Sequence, residues 1–186
     1  MADEHKVADP GPLGLAAFAM TTFALSSANA NLWHGAGATA AVSLALVYGG
    51  FAQILAGMWE FMRKNTFGAV AFTSYGAFWI SVYAFINFQK GSGASLGVFL
   101  LGWTIFTAYM LIGSMKTNTI LFLVFLVLTL TFIFLTIGNW GGGHASMVKV
   151  GGWLGLLTAI LAWYASAAGV INDTFKKVVL PVGPRG

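Results

Sequence analysis

Six stretches of this chain, at about 13–33, 36–59, 67–87, 94–115, 118–138 and 150–171, contain no Asp, Glu, Lys or Arg. A helix that crosses the hydrocarbon of a bilayer needs roughly 20 mainly apolar residues, and each stretch meets that length. Charged residues make up only 8% of the chain, against about 25% in an ordinary soluble domain. The segment FLVFLVLTLTFIFL is continuously apolar, whereas a transmembrane β-strand alternates over about ten residues. The sequence therefore predicts an all-α polytopic membrane protein with six transmembrane helices. It forms a single membrane domain over 1–186, with short tails at 1–11 and 173–186.

Ala28-Asn29-Ala30 imitates a signal-peptidase site. A signal peptide, however, wants a basic start and a short apolar core. Here Asp3, Glu4 and Asp9 oppose Lys6, and the apolar run is long, so the first span is read as retained. The net charge of +4 is explained by topology rather than by nucleic acid. With both termini cytoplasmic, Lys6, Arg63, Lys64, Lys116, Lys176, Lys177 and Arg185 lie inside, and only Lys90 and Lys149 outside. Seven against two follows the positive-inside rule. The expected location is the cytoplasmic membrane. The tail after Asn172, with a basic pair and two prolines, is expected to lie loosely at the cytoplasmic surface.

Polar side chains inside a span need a reason, because lipid offers them nothing. Phe18, Thr22, Ser26 and Asn29 share one face of the first span. Gln53 sits among Gly49, Gly50 and Gly57 in the second, and Tyr75 with Thr73 and Ser74 in the third. The fourth and fifth offer Thr104, Thr107, Ser114, Thr129, Thr136 and Asn139. Such groups can glue helices together or bond to their own backbone. A polar stripe on every span also suits a narrow route for a small, weakly polar or singly charged solute. No ionisable residue falls inside any span, which argues against a proton relay built on Asp or Glu. In the sixth span Gly152, Gly155, Ala159, Ala162, Ser166 and Gly169 form a small-residue groove suited to close packing.

The starts of spans one, three and five read GPLGLAAF, NTFGAVAF and NTILFLVF, at spacings of 54 and 53 residues. Three parallel helical hairpins would produce this pattern. Asn65 or Thr66 can cap the third span, and Asp9-Pro10-Gly11-Pro12 restricts entry into the first. Helix starts facing a vestibule would present positive dipole ends to an anion. His5, His34 and His144 have no partner at metal-ligand spacing. There is no cysteine, no nucleophile–base set and no cofactor motif, so neither an enzyme nor a metal site is expected.

Taken together, DPGPLGLAAFAMTTF, YGGFAQILAGMWEF, NTFGAVAFTSYGAFW, IGNW and GGWLGLLTAILAWYASAAGVIN resemble the acetate uptake transporter family, which includes the bacterial succinate–acetate transporters. The resemblance covers nearly the whole chain. It departs from the family pattern Asn-Pro-Ala-Pro-Leu-Gly-Leu at Asp9 and Gly11. It implies six-helix protomers in a homohexamer, each with its own pore for acetate and related short carboxylates. It also implies a hydrophobic constriction, which motif matching assigns to Phe18, Tyr75 and Leu128. Family members are described both as channels and as proton-coupled carriers, and both remain open.

The expected function is thus passage of acetate or a similar monocarboxylate. Stripping a carboxylate of water is costly unless fixed donors replace that water. Thr21, Thr22, Gln53, Thr73 and Tyr75 are the candidate donors. The rival reading is a channel for a small neutral solute such as water, ammonia or undissociated acid. A non-transporting scaffold is the third.

Overall fold

The computed structural model describes residues 7–33, 36–88, 93–140 and 143–185. His5, Lys6, His34 and Lys90, named above, lie outside the described residues. The described chain is helical almost throughout, in six elements long and apolar enough to cross a membrane. They are α1 (Gly11–Asn29), α2 (Ala36–Met62), α3 (Thr66–Phe88), α4 (Gly93–Ser114), α5 (Thr119–Asn139) and α6 (Ala145–Phe175).

Short polar residues start the odd-numbered helices. Asp9 Oδ1 accepts a hydrogen bond from Gly11 N at 2.9 Å, Asn65 Oδ1 from Gly68 N at 3.1 Å, and Asn118 Oδ1 from Leu121 N at 2.9 Å. Each satisfies a backbone donor that the first helical turn leaves unpaired. Two helices outrun their expected spans. The second continues to Met62 rather than 59, and the sixth runs 31 residues from Ala145 to Phe175. Within α2 a π-helical segment, Val47–Ala52, widens the turn around Gly49 and Gly50. A methyl group on Gly49 would lie 2.5 Å from Thr21 Oγ1, so the wide turn packs directly against α1.

Helices adjacent in sequence pack together, and α1 also lies along α6. The small-residue face of α6 makes that second contact. A Cβ on Gly155 would overlap Ser26 Oγ, and one on Gly152 would overlap Ala30 N. Ala159 and Ala162 are fully buried, and Ser166 Oγ donates to the Pro12 carbonyl at 2.7 Å. The groove is therefore a seam inside the chain. The α3 and α4 backbones approach each other least of the neighbouring pairs. Aromatic side chains fill that gap: Phe78 meets Trp103 at 5.1 Å and Tyr75 meets Phe106 at 5.3 Å between ring centroids.

The tail does not lie loosely. After Lys176 closes α6 in a left-handed conformation, the chain turns back over the start of α5. Thr119 N donates to Gly183 O at 2.7 Å and Arg185 N to Thr117 O at 3.1 Å. Asn172 Oδ1 accepts from Val179 N and Leu180 N at 2.7 and 2.9 Å, and Tyr164 Oη donates to Pro181 O at 2.8 Å. The Arg185 guanidinium sits 4.2 Å from the Phe122 ring centroid. The expectation failed because composition marks mobile tails, whereas this one is held by backbone groups that a helix start leaves free.

Candidate solute pathway

A cavity of about 400 Å³ opens at the end of the bundle where the odd-numbered helices begin. Asp9, Gly11 and Pro12 line it from α1 and the residues before it, Asn65, Phe67 and Gly68 from the start of α3, and Asn118 and Leu121 from the start of α5. The tail contributes Val182 to the same wall. Three helix starts therefore border one cavity, and the positive ends of their dipoles give its rim a partial positive character.

The repeated phenylalanines Phe18, Phe72 and Phe125 all line this cavity, and its apolar floor includes Phe18, Tyr75 and Leu128. The last three are only 5%, 3% and 3% exposed. Phe18 and Tyr75 meet with ring centroids 5.5 Å apart. A second cavity, of about 350 Å³, lies beyond them and is bordered by Leu25, Asn29, Phe78, Phe132 and Asn139, among others. Phe78 follows Tyr75 by one helical turn and Phe132 follows Leu128 likewise, and their centroids stand 5.5 Å apart. The barrier between the cavities thus has two aromatic-rich layers about one helical turn, or ~5 Å, apart. Sequence reasoning named Phe18, Tyr75 and Leu128 but not Phe78 and Phe132. Their spacing of three and four residues from Tyr75 and Leu128 was the available signal.

The Tyr75 hydroxyl is committed. It lies 2.9 Å from Thr107 Oγ1, which itself donates to the Trp103 carbonyl at 2.7 Å. With its one proton used there, Thr107 can only accept, so Tyr75 is the donor.

The other named polar residues divide into two sets. Thr22 stands one turn beyond Phe18 and one turn before Leu25, between the depths of the two cavities, and lines neither. Its Oγ1 is buried without a partner. Gln53 is 1% exposed, lines the first cavity and leaves Oε1 without a partner. Its amide presents donor and acceptor alike. Thr21 instead donates to Ala17 O at 2.9 Å and packs on Gly49, in the α1–α2 seam. Thr73 packs against Gly57 in the α2–α3 seam, with Oγ1 unpartnered, and borders neither cavity. Most other span threonines donate to the carbonyl four residues back, as Thr104, Thr129 and Thr131 do. Their hydroxyls are used by their own helix.

One expectation is corrected outright. An ionisable residue does enter the bundle: Glu60, 2% exposed, lines the first cavity. It stands one residue past the uncharged window, but α2 continues beyond it. Arg63, at the end of α2, pairs closely with Asp9 and stands 3.7 Å from Glu60 Oε2.

Comparison with known proteins returns one consistent neighbourhood. A profile described as the GPR1/FUN34/yaaH family matches residues 1–184. The succinate-acetate/proton symporter SatP of Escherichia coli K12 is 40% identical over 184 residues, covering 96% of each chain. Acetate permease A of Emericella nidulans is 38% identical over 200 residues, and the match spans 97% of this chain and 67% of that protein. A solved structure of the bacterial acetate channel SatP superposes with a TM-score of 0.90 at 39% identity, over 96% of this chain and 100% of that one.

Proposed function

This chain belongs to the GPR1/FUN34/yaaH family, and from that membership and the cavity geometry we propose that it passes acetate and related short-chain carboxylates across a membrane, through a route inside each protomer. The observation that carries the reading is the pair of cavities separated by a barrier one turn thick. The relatives named for acetate supply the substrate class. Phe18, Tyr75 and Leu128 form the constriction, acting as a size filter and as an apolar gate of the kind that dewets. The three helix starts draw an anion in without a buried cation dedicated to it. Gln53 in the first cavity and Thr22 in the barrier offer unpaired polar atoms to a solute shedding water.

The chain acts in this reading as a transporter or channel, with no catalytic step. It sits in the cytoplasmic membrane with both termini inside, because Arg63, Lys64, Lys116, Lys176, Lys177 and Arg185 gather at the end of the first cavity. Cysteines placed at His144 and Lys177 should label from opposite sides. Labelling from one side would sink that orientation. The assembly is a homohexamer on family resemblance, since the α6 small-residue face is occupied by α1 of the same chain.

Labelled acetate uptake into proteoliposomes, with and without a pH gradient, tests the function. Uptake above that of empty liposomes supports the reading. Proton entry in fixed ratio to acetate entry assigns proton coupling, and acetate entry without it assigns a channel. Folded protein that carries ammonia or water but no acetate would replace the reading with the neutral-solute one.

A further inference from the structure

The first cavity holds three charged side chains among the described residues: Asp9, Glu60 and Arg63. They are not equivalently placed. Arg63 is engaged most closely by Asp9, and its Nη1 stands 3.7 Å from Glu60 Oε2. Glu60 Oε2 accepts one hydrogen bond from Asn65 Nδ2 at 2.9 Å. Oε1 takes none, and it faces two glycines. A Cβ built on Gly68 would come within 2.9 Å of it and one on Gly11 within 3.5 Å. The starts of α1 and α3 therefore close on the carboxyl with bare backbone, and among the described residues no side chain donates a hydrogen bond to Oε1. Asn118 of α5 and Asn172 of α6 add only neutral amides to the cavity wall.

We propose that Glu60 is a protonation site that sets the charge of the entrance cavity, and that carboxylate anions pass freely only while it is neutral. The inference rests on the carboxylate-passage reading. With Glu60 ionised, the two carboxylates and one guanidinium that line the cavity sum to one negative charge in excess. An arriving anion is then repelled at short range, in a partly desolvated space where Coulomb forces are weakly screened. A proton taken from cavity water onto Oε1 brings that sum to zero. It leaves the Asn65 hydrogen bond to Oε2 in place. It also turns the unpartnered oxygen from an acceptor into a hydroxyl that can donate. Asp9 and Arg63 hold each other meanwhile, so Glu60 is the group free to change state.

The test is acetate uptake by proteoliposomes at constant acetate anion concentration and no pH gradient, measured from mildly acidic to mildly alkaline pH. The wild-type rate should rise several-fold toward acid. Glu60→Gln, which mimics the neutral carboxyl, should flatten the profile and keep the alkaline rate near the wild-type acid rate. Asp9→Asn removes the other negative charge and leaves Glu60 intact. It brings the lining charge to zero with Glu60 ionised, should raise the alkaline rate toward the wild-type acid rate, and carries the test if the Gln variant does not purify. A Glu60→Gln profile that parallels wild type, or an Asp9→Asn variant whose alkaline rate stays at the wild-type level, overturns the proposal while leaving carboxylate passage standing. Absence of acetate flux from folded wild type at every pH overturns both.

Discussion

Phe18 of α1 and Tyr75 of α3 close the floor of the entrance cavity with ring centroids 5.5 Å apart and planes inclined at 55°. The contact spans two helices whose backbones barely touch, so the closure is made by side chains. Leu128 of α5, equally buried, completes the floor.

Leu128→Ala should open that floor. The expected outcome is uptake of bulkier carboxylates such as lactate or succinate rising relative to acetate, with acetate flux kept. Core truncation of a leucine commonly costs about 2–5 kcal/mol, so thermal stability must be followed alongside transport. A stable variant with the wild-type substrate ranking would remove Leu128 from the constriction.

Tyr75→Phe acts differently, because the hydroxyl is bound to Thr107 rather than offered to the solute. Losing that buried hydrogen bond should cost about 0.5–1.5 kcal/mol, with the ring still filling the neck. Thr107→Val should cost a similar amount, and the double variant little more than either single one. Additive losses in thermal unfolding would show that the two hydroxyls do not act as a pair.

Gly155→Leu should destabilise the protomer itself. Its side chain would have to occupy the space of Ser26 Oγ on α1, and overpacking typically costs about 1–3 kcal/mol. The expected signature is a lower unfolding temperature at every protein concentration. An assembly that dissociates while its protomers stay equally stable would place this face between subunits instead.

Asn172→Ala should release the tail. One amide holds Val179 N, Leu180 N and, through its Nδ2, Leu180 O at 2.8 Å. The exposed Lys176–Lys177 pair then becomes a faster tryptic site, while helix content is unchanged. Equal cleavage rates in wild type and variant would mean that the hydrogen bonds to α5 suffice without Asn172.

The spans were legible because a membrane imposes its demand on every residue of a window, and absence of charge is visible without any knowledge of packing. Tyr75 and Leu128 were named through motif matching to the resembled family, and the repeat places each three residues after its phenylalanine. Phe78 and Phe132 were not, since a phenylalanine in an apolar helix looks the same whether it faces a pore, a neighbour or lipid. Glu60 was hidden by the rule that found the spans, which stops at the first charge although α2 does not. The hydroxyls misled in the opposite direction. Thr21 and Thr73 share composition with pathway residues, yet glycines on α2 draw them into helix seams.

The seams themselves differ in kind, and this bears on how the bundle can yield. Where α1 meets α2 and α6, and where α2 meets α3, glycines bring backbone against neighbouring atoms with no slack. Between α3 and α4 the filling is rings: Tyr75, Phe78, Trp103 and Phe106. Rings in tilted and edge contacts can re-tilt, whereas interlocked backbones can only separate. Mechanical compliance is therefore concentrated on the α3–α4 side of the two cavities. The same side carries Tyr75 and Phe78, one from each layer of the barrier, so a small breathing of that wall would loosen both layers at once.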